Sequence, residues 1–150
     1  MTVEEYCKKL KEKTKVLYEK TPSIHNPYLE QMIDFNSDGF HHFQYNTPGS
    51  ERNKRAQIDR YRLFPLAPTI IKKAGIVQQH RKTVGAIGRK RHDGFRLTKV
   101  IEDWCFISLM PFGNKEIMIK TVLRKIGDGN VNFLSIMPYK APNYLFDIDE

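Results

Sequence analysis

Residues 116–137 read EIMIKTVLRKIGDGNVNFLSIM. Two runs rich in β-branched and aliphatic residues flank Gly127-Asp128-Gly129-Asn130, a strong turn signal. If Gly127 faces Asn130 across the turn, Arg124 lies opposite Phe133, Val122 opposite Ser135 and Lys120 opposite Met137. Side chains alternate between the faces of a strand. One face then carries Ile117, Ile119, Thr121, Leu123, Leu134 and Ile136. The other carries Lys120, Arg124 and Ser135 among apolar neighbours. A one-residue slip would exchange the two faces.

Residues 101–110 form a third strand-like run, joined through Pro111-Phe112-Gly113-Asn114. The expectation is an antiparallel meander of at least three strands, its apolar face covered by helices. Those helices must come from the N-terminal half. Thr2-Val3-Glu4-Glu5 is a capping box that starts a helix ending near Lys20, before Thr21-Pro22. Val3, Cys7, Leu10 and Leu17 supply its approximate apolar stripe. Residues 28–35 read as a short second helix, and Asn36-Ser37-Asp38-Gly39 as a break. Residues 40–45 alternate imperfectly and suit a strand or an ordered loop. Residues 53–64 predict a basic helix. Pro68 opens another that Gly75 ends. Residues 77–97 show no sustained period and read as a mobile basic loop or loose hairpin, and residues 146–150 as a frayed acidic tail. The fold class is α+β, in one domain of 150 residues.

The net charge is +8, unevenly spread. Residues 51–99 hold fourteen bases against three acids, a local charge of +11, while the remainder is at −3. Such a concentration steers polyanions, nucleic acid first among them. Arg55, Arg62, Lys72, Lys73, Arg81, Arg89, Lys90 and Arg91 are the candidate phosphate contacts. The polar sheet face can be a solvated surface or a phosphate-binding floor, on which Lys120 and Arg124 hold phosphate and Ser135 adds a hydroxyl. His41 and His42 offer proton transfer near neutral pH. As strand neighbours they would point to opposite sides.

Other chemistries lack their signatures. Gly85-Ala86-Ile87-Gly88 has no following Lys-Ser/Thr, no serine occupies a nucleophile elbow, and no Cys/His spacing suits zinc. Glu102-Asp103 reads only as an acidic pair at a strand start. Cys7 and Cys105 read as small buried hydrophobes. No metal and no cofactor is expected. The N-terminus lacks a signal-peptide pattern and no apolar run approaches a membrane span, so a cytoplasmic protein without a membrane partner is expected.

The order of elements, from Gly39-Phe40-His41-His42 through the basic helical stretch to the terminal meander, resembles the barnase–EndoU–colicin–RelE group of nucleases. Its phage- and toxin-associated branches are the most similar. The likeness spans residues 39–138. It implies helices on one sheet face, RNA on the other, and metal-independent cleavage by the RNA 2′-hydroxyl. It places Arg124, Lys120 and Ser135 on the active face, with His41 or His42 as the proton-transfer group. Barnase-like members use a strand glutamate as base. Here only Glu116, near the edge, is available, whereas RelE-like members work chiefly with Lys and Arg. The expected function is a metal-independent endoribonuclease-like domain of a toxin or mobile-element effector, with an acidic inhibitor or antitoxin as a further partner. The alternative is a non-catalytic nucleic-acid-binding protein using the same surface.

Overall fold

The computed structural model describes residues 1–88 and 90–140; Arg89 and the acidic tail lie outside the described residues. Helix α1 (Val3–Glu19) begins at the expected capping box: the Thr2 hydroxyl accepts from the Glu5 amide at 3.1 Å and the Glu5 carboxylate accepts from the Thr2 amide at 3.3 Å. Its buried face is Cys7, Thr14 and Tyr18, with Leu10 half-buried. Val3 and Leu17 are 56% and 43% exposed, so the helix is rotated from the expected stripe. Tyr18 sets that rotation. Its ring meets Phe35, Phe40, Phe43, Phe64 and Phe133, and its hydroxyl donates to the Asn36 carbonyl at 2.6 Å.

Residues 28–35 are not a helix. Strands β1 (Ile24–Asn26) and β2 (Gln31–Ile33) form a small hairpin. Asn26 is fully buried; its side chain accepts from the Leu29 amide at 3.0 Å and donates to the carbonyls of Ile71 and Ala74. Glu30, at φ 53°, is left-handed and blocks helical continuation. The expected break at 36–39 instead starts helix α2 (Ser37–Gln44), where the Asn36 side chain accepts from the Gly39 amide. Phe40 and Phe43 are three residues apart, one helical turn, and both face the aromatic core. The strand or loop expected for 40–45 is therefore a helix.

The basic helix α3 (Lys54–Leu63) forms as expected, capped by Asn53, and a 3₁₀ turn (Phe64–Leu66) leads into α4 (Ala67–Lys73), with Pro68 in its first turn. Both cysteines are free and buried. None of the described helices is long and apolar enough to cross a membrane.

The C-terminal half is a four-stranded antiparallel sheet, ordered β3 (Gln79–Ile87), β4 (Leu97–Phe112), β5 (Lys115–Ile126), β6 (Val131–Pro138). The added strand β3 occupies the stretch expected to be a mobile loop or a loose hairpin, and it pairs with β4 as a hairpin. Helices α2 and α3 pack against β6. Ile119, Leu123 and Ile136 are fully buried on the helix-covered face, and Ile117 packs half-buried beside them. Lys120 pairs with Met137 and Val122 with Ser135, as expected. A β-bulge then shifts the register, so Leu123 meets Phe133 and Arg124 meets Asn132. Phe133 enters the core, and Leu134 clusters with Cys105 and Val122 on the opposite face, a correction to its expected place.

Candidate functional site

Alternation from the registers puts three cross-strand rows on the face away from the core: Arg81–Asp103–Arg124, then Gln79–Cys105–Val122–Ser135, then Ile107–Lys120–Met137. His42 from α2, Arg60 from α3, and residues 46–48 and Arg52 from the connection between those helices rise beside these rows. All of these except Ile107, together with His80 and Leu134, line a cleft of about 590 Å³. A second hollow of about 340 Å³ adjoins it, sharing His42, Asn46, Thr47, Arg124 and Leu134.

The electrostatics of the cleft are lopsided. Arg52, Arg60, Arg81, Lys120 and Arg124 line it with one carboxylate, Asp103, which is 6% exposed. Arg124 spends its planar fork on that carboxylate, Nε donating to Oδ1 at 2.8 Å and a terminal nitrogen to Oδ2 at 3.0 Å. Arg81 approaches Oδ2 at 3.5 Å. Arg124 is thus not the free phosphate fork expected of it, because a buried carboxylate requires a cationic partner and Arg124 is its cross-strand neighbour. Asp103 belongs to the middle of the sheet and is no mere strand-start acid.

Arg52 donates through Nε to the His42 carbonyl at 2.9 Å, and burial lowers its pKa. Arg60 is 9% exposed and, among the described residues, has no carboxylate at ion-pair distance. It donates to the Ala56 carbonyl on its own helix at 3.1 Å and reaches Met137 Sδ at 3.9 Å; its Nε has no partner. Burial, and then Arg52, push its pKa down to about 10. Ser135 is 3% exposed and its Oγ is also unpartnered. Burial pushes the His42 pKa down to about 4, helped by Arg52, Arg124 and Arg60. His42 is therefore a neutral imidazole at pH 7.

Of the expected catalytic group, the structure brings Lys120, Arg124, Ser135 and His42 to one cleft. His41 does not join them. Successive helical residues are about 100° apart, and His41 stacks on Tyr45 at 4.5 Å and faces the smaller hollow. Of the expected phosphate contacts among the described residues, only Arg81 lines the larger cleft; Arg89 lies outside the described residues. Arg55 is exposed, 3.8 Å from Asp59; Arg62 lies over the Phe112 ring at 5.0 Å; Lys72 and Lys73 end α4, where Lys72 borders a separate groove with Leu17 and Pro68. Lys90 and Arg91 lie near the tip of the β3–β4 hairpin, where Arg91 is 3.5 Å from Asp93. Among the described residues, no group of three or more His, Cys, Asp or Glu is placed to hold a metal ion.

Arg52, Arg60 and Asp103 line the cleft but were not among the candidate site residues. For Arg60 a signal was present. It shares the buried stripe of α3 with Gln57, Tyr61 and Leu63, where a charge is out of place unless it has a task.

The β3–β4 hairpin outruns the sheet. β5 ends at Ile126, opposite Ile101, while β3 and β4 continue as two strands from Val84↔Val100 to Ile87↔Leu97. Val84, Phe95 and Leu97 are 73%, 70% and 67% exposed. At its base, on the core side, His80 stacks on Trp104 with ring centroids 5.6 Å apart. Residues 82–99 hold six bases and one acid.

No family model matches this chain, and no curated protein or solved structure shows significant similarity to it.

Proposed function

We propose that the chain is a metal-independent RNA-cleaving domain whose substrate lies across the cleft, with its action in the cytoplasm and an acidic protein inhibitor as a second partner for the same charge. The observation that carries this reading is five cations and the neutral His42 gathered in a cleft that, among the described residues, holds one carboxylate. Uncompensated positive charge in a concave, partly desolvated site favours phosphates. Neutral His42 takes the proton of the RNA 2′-hydroxyl. The 2′-oxygen attacks the adjacent phosphorus, Lys120 and Arg52 stabilise the charge that builds on the phosphorane, and the bond to the 5′-oxygen breaks. His42 returns its proton to the departing 5′-oxygen. An imidazolium among arginines is a strong acid, which suits that last step. The products are a 2′,3′-cyclic phosphate and a 5′-hydroxyl. Arg124, held by Asp103, shapes the wall of the cleft.

The test is cleavage of labelled RNA in EDTA by wild type, His42→Ala and Lys120→Ala. Removing the proton-transfer group should slow cleavage by about 10²–10⁴-fold. One observation favours a second reading, non-catalytic nucleic-acid binding: the Arg124–Asp103 pair is closed within the protein. Salt-sensitive binding with no cleavage by wild type across a broad RNA panel would establish that reading instead.

A further inference from the structure

Four buried side-chain polar atoms among the described residues lack a hydrogen-bond partner: Arg60 Nε, Tyr61 Oη, Thr121 Oγ1 and Ser135 Oγ. Tyr61 and Thr121 are buried away from the cleft, while Arg60 and Ser135 line it. These two border the same stretch of β6. Ser135 and Met137 share the cleft face of β6, Met137 pairs with Lys120, and the Arg60 guanidinium rests on Met137 Sδ. A neutral thioether is a weak acceptor, and Asp59, which offsets the guanidinium charge only in part, makes its ion pair with Arg55 instead. Buried charges and buried hydroxyls are ordinarily partnered, and an exception calls for an explanation. Among the described residues, no carboxylate bonds Arg60 as Asp103 bonds Arg124.

We propose that Arg60, Ser135 and Lys120 form an oxyanion subsite that seats a phosphate group. Its proposed use, holding a phosphate of the RNA chain beside the reacting one, rests on the cleavage reading above; the phosphate seat itself does not. The guanidinium Nε–H and the Ser135 hydroxyl supply directed donors, and Lys120 supplies a point charge opposite them. The shared chemistry is a phosphoryl oxyanion, from either a terminal monoester or an internal diester.

The test uses the full chain and inorganic phosphate, without turnover. Phosphate should raise the urea midpoint of wild type in a concentration-dependent way. Arg60→Met keeps the volume and removes the charge. It should unfold at an equal or higher midpoint without phosphate, since replacing a buried unpaired charge by an apolar side chain relieves desolvation. It should also bind phosphate about tenfold more weakly or worse, and Ser135→Ala about fivefold more weakly. Arg60→Met with wild-type phosphate affinity would overturn the subsite. So would a marked fall in its midpoint without phosphate, which would show that Arg60 is a structural residue. If Arg60→Met does not fold, the Arg60 Nε–H resonance of wild type decides: movement on phosphate addition supports the seat, and no movement at saturation overturns it. Short 5′-phosphorylated and 5′-hydroxyl oligonucleotides distinguish the source. Preference for the former identifies a terminal monoester, and equal binding an internal diester. Phosphate binding by an uncleaving protein would sink the nuclease reading and leave the subsite standing. Cleavage with no phosphate effect would do the reverse.

Discussion

Asp103 and Arg124 face each other across β4 and β5, joined by two hydrogen bonds of 2.8 and 3.0 Å. This pair fixes the wall of the cleft and keeps one negative charge where five cations gather. On the proposed reading it would therefore restrain the affinity of the cleft for polyanions, while it ties β4 to β5. Asp103→Asn keeps the shape and removes the charge. We expect a stability loss of about 1–3 kcal/mol in urea unfolding, because the guanidinium keeps only a neutral acceptor. We also expect tighter nucleic-acid binding, with a salt slope steeper by about 0.7–0.9. Binding that weakens in a folded variant would show that Asp103 organises the cations more than it opposes them.

The depressed pKa of His42 has a definite sign in stability. Its folded value, about 4, lies below the roughly 6.5 of a free imidazole. Between those values the unfolded chain takes up a proton that the folded chain refuses. Stability is thus complete above about pH 6.5, declines as pH falls toward 4, and levels below. The contribution is about 1–2 kcal/mol once solvent screening at a half-buried ring is discounted. Urea midpoints from pH 7 to pH 4 should fall more for wild type than for His42→Gln. A 2′-deoxy oligonucleotide in the cleft should offset the arginine field and raise the NMR-titrated pKa of His42. An unmoved pKa would place the bound strand elsewhere.

The projecting hairpin carries charge away from the cleft, so the two surfaces can be separated. Neutralising Lys90, Arg91 and Arg96 together should reduce the salt slope of binding to long RNA by up to about three units. Cleavage of a dinucleotide, too short to touch the tip, should be unchanged. If dinucleotide cleavage also falls, the hairpin reaches into the cleft chemistry.

Gly39 sits where α2 meets the sheet. A Cβ there would stand 2.5 Å from the Phe133 carbonyl oxygen, and closer still to the Tyr18 hydroxyl. Gly39→Ala should cost about 1–3 kcal/mol by overpacking. Because α2 carries His42, it should also disturb the His42 resonance. A variant of wild-type stability would mean that α2 can shift at little cost.

What was legible in the sequence follows from how local each signal is. The capping box at Thr2 and Glu5 and the turns at 111–114 and 127–130 are short-range chemistry, and they located α1 and three strands. α2 was misread because Phe40 and Phe43, three apart, also sit within an imperfect alternation. Only the packing of Phe43 and the Asn36 cap decide for a helix. β3 carries no period because its distal half has no core to face, so no selection for an apolar side marks it. The bulge at Val122 and Leu123 is silent, since Phe133 and Leu134 are both apolar and either could turn inward. Lys120 and Ser135 were placed on the cleft face because strand position sufficed for them, whereas choosing His42 over His41 needed the helix. Arg60 needed the third dimension to show that its partner is missing.

The stack of His80 on Trp104 has an experimental consequence. The chain has a single tryptophan, and its indole lies against the second residue of β3. Its fluorescence watches the root of the projecting hairpin from the core side. A detachment of β3 would therefore change the emission while the helices keep their circular dichroism, so peeling of this strand and collapse of the core can be followed as separate optical events in an unlabelled protein.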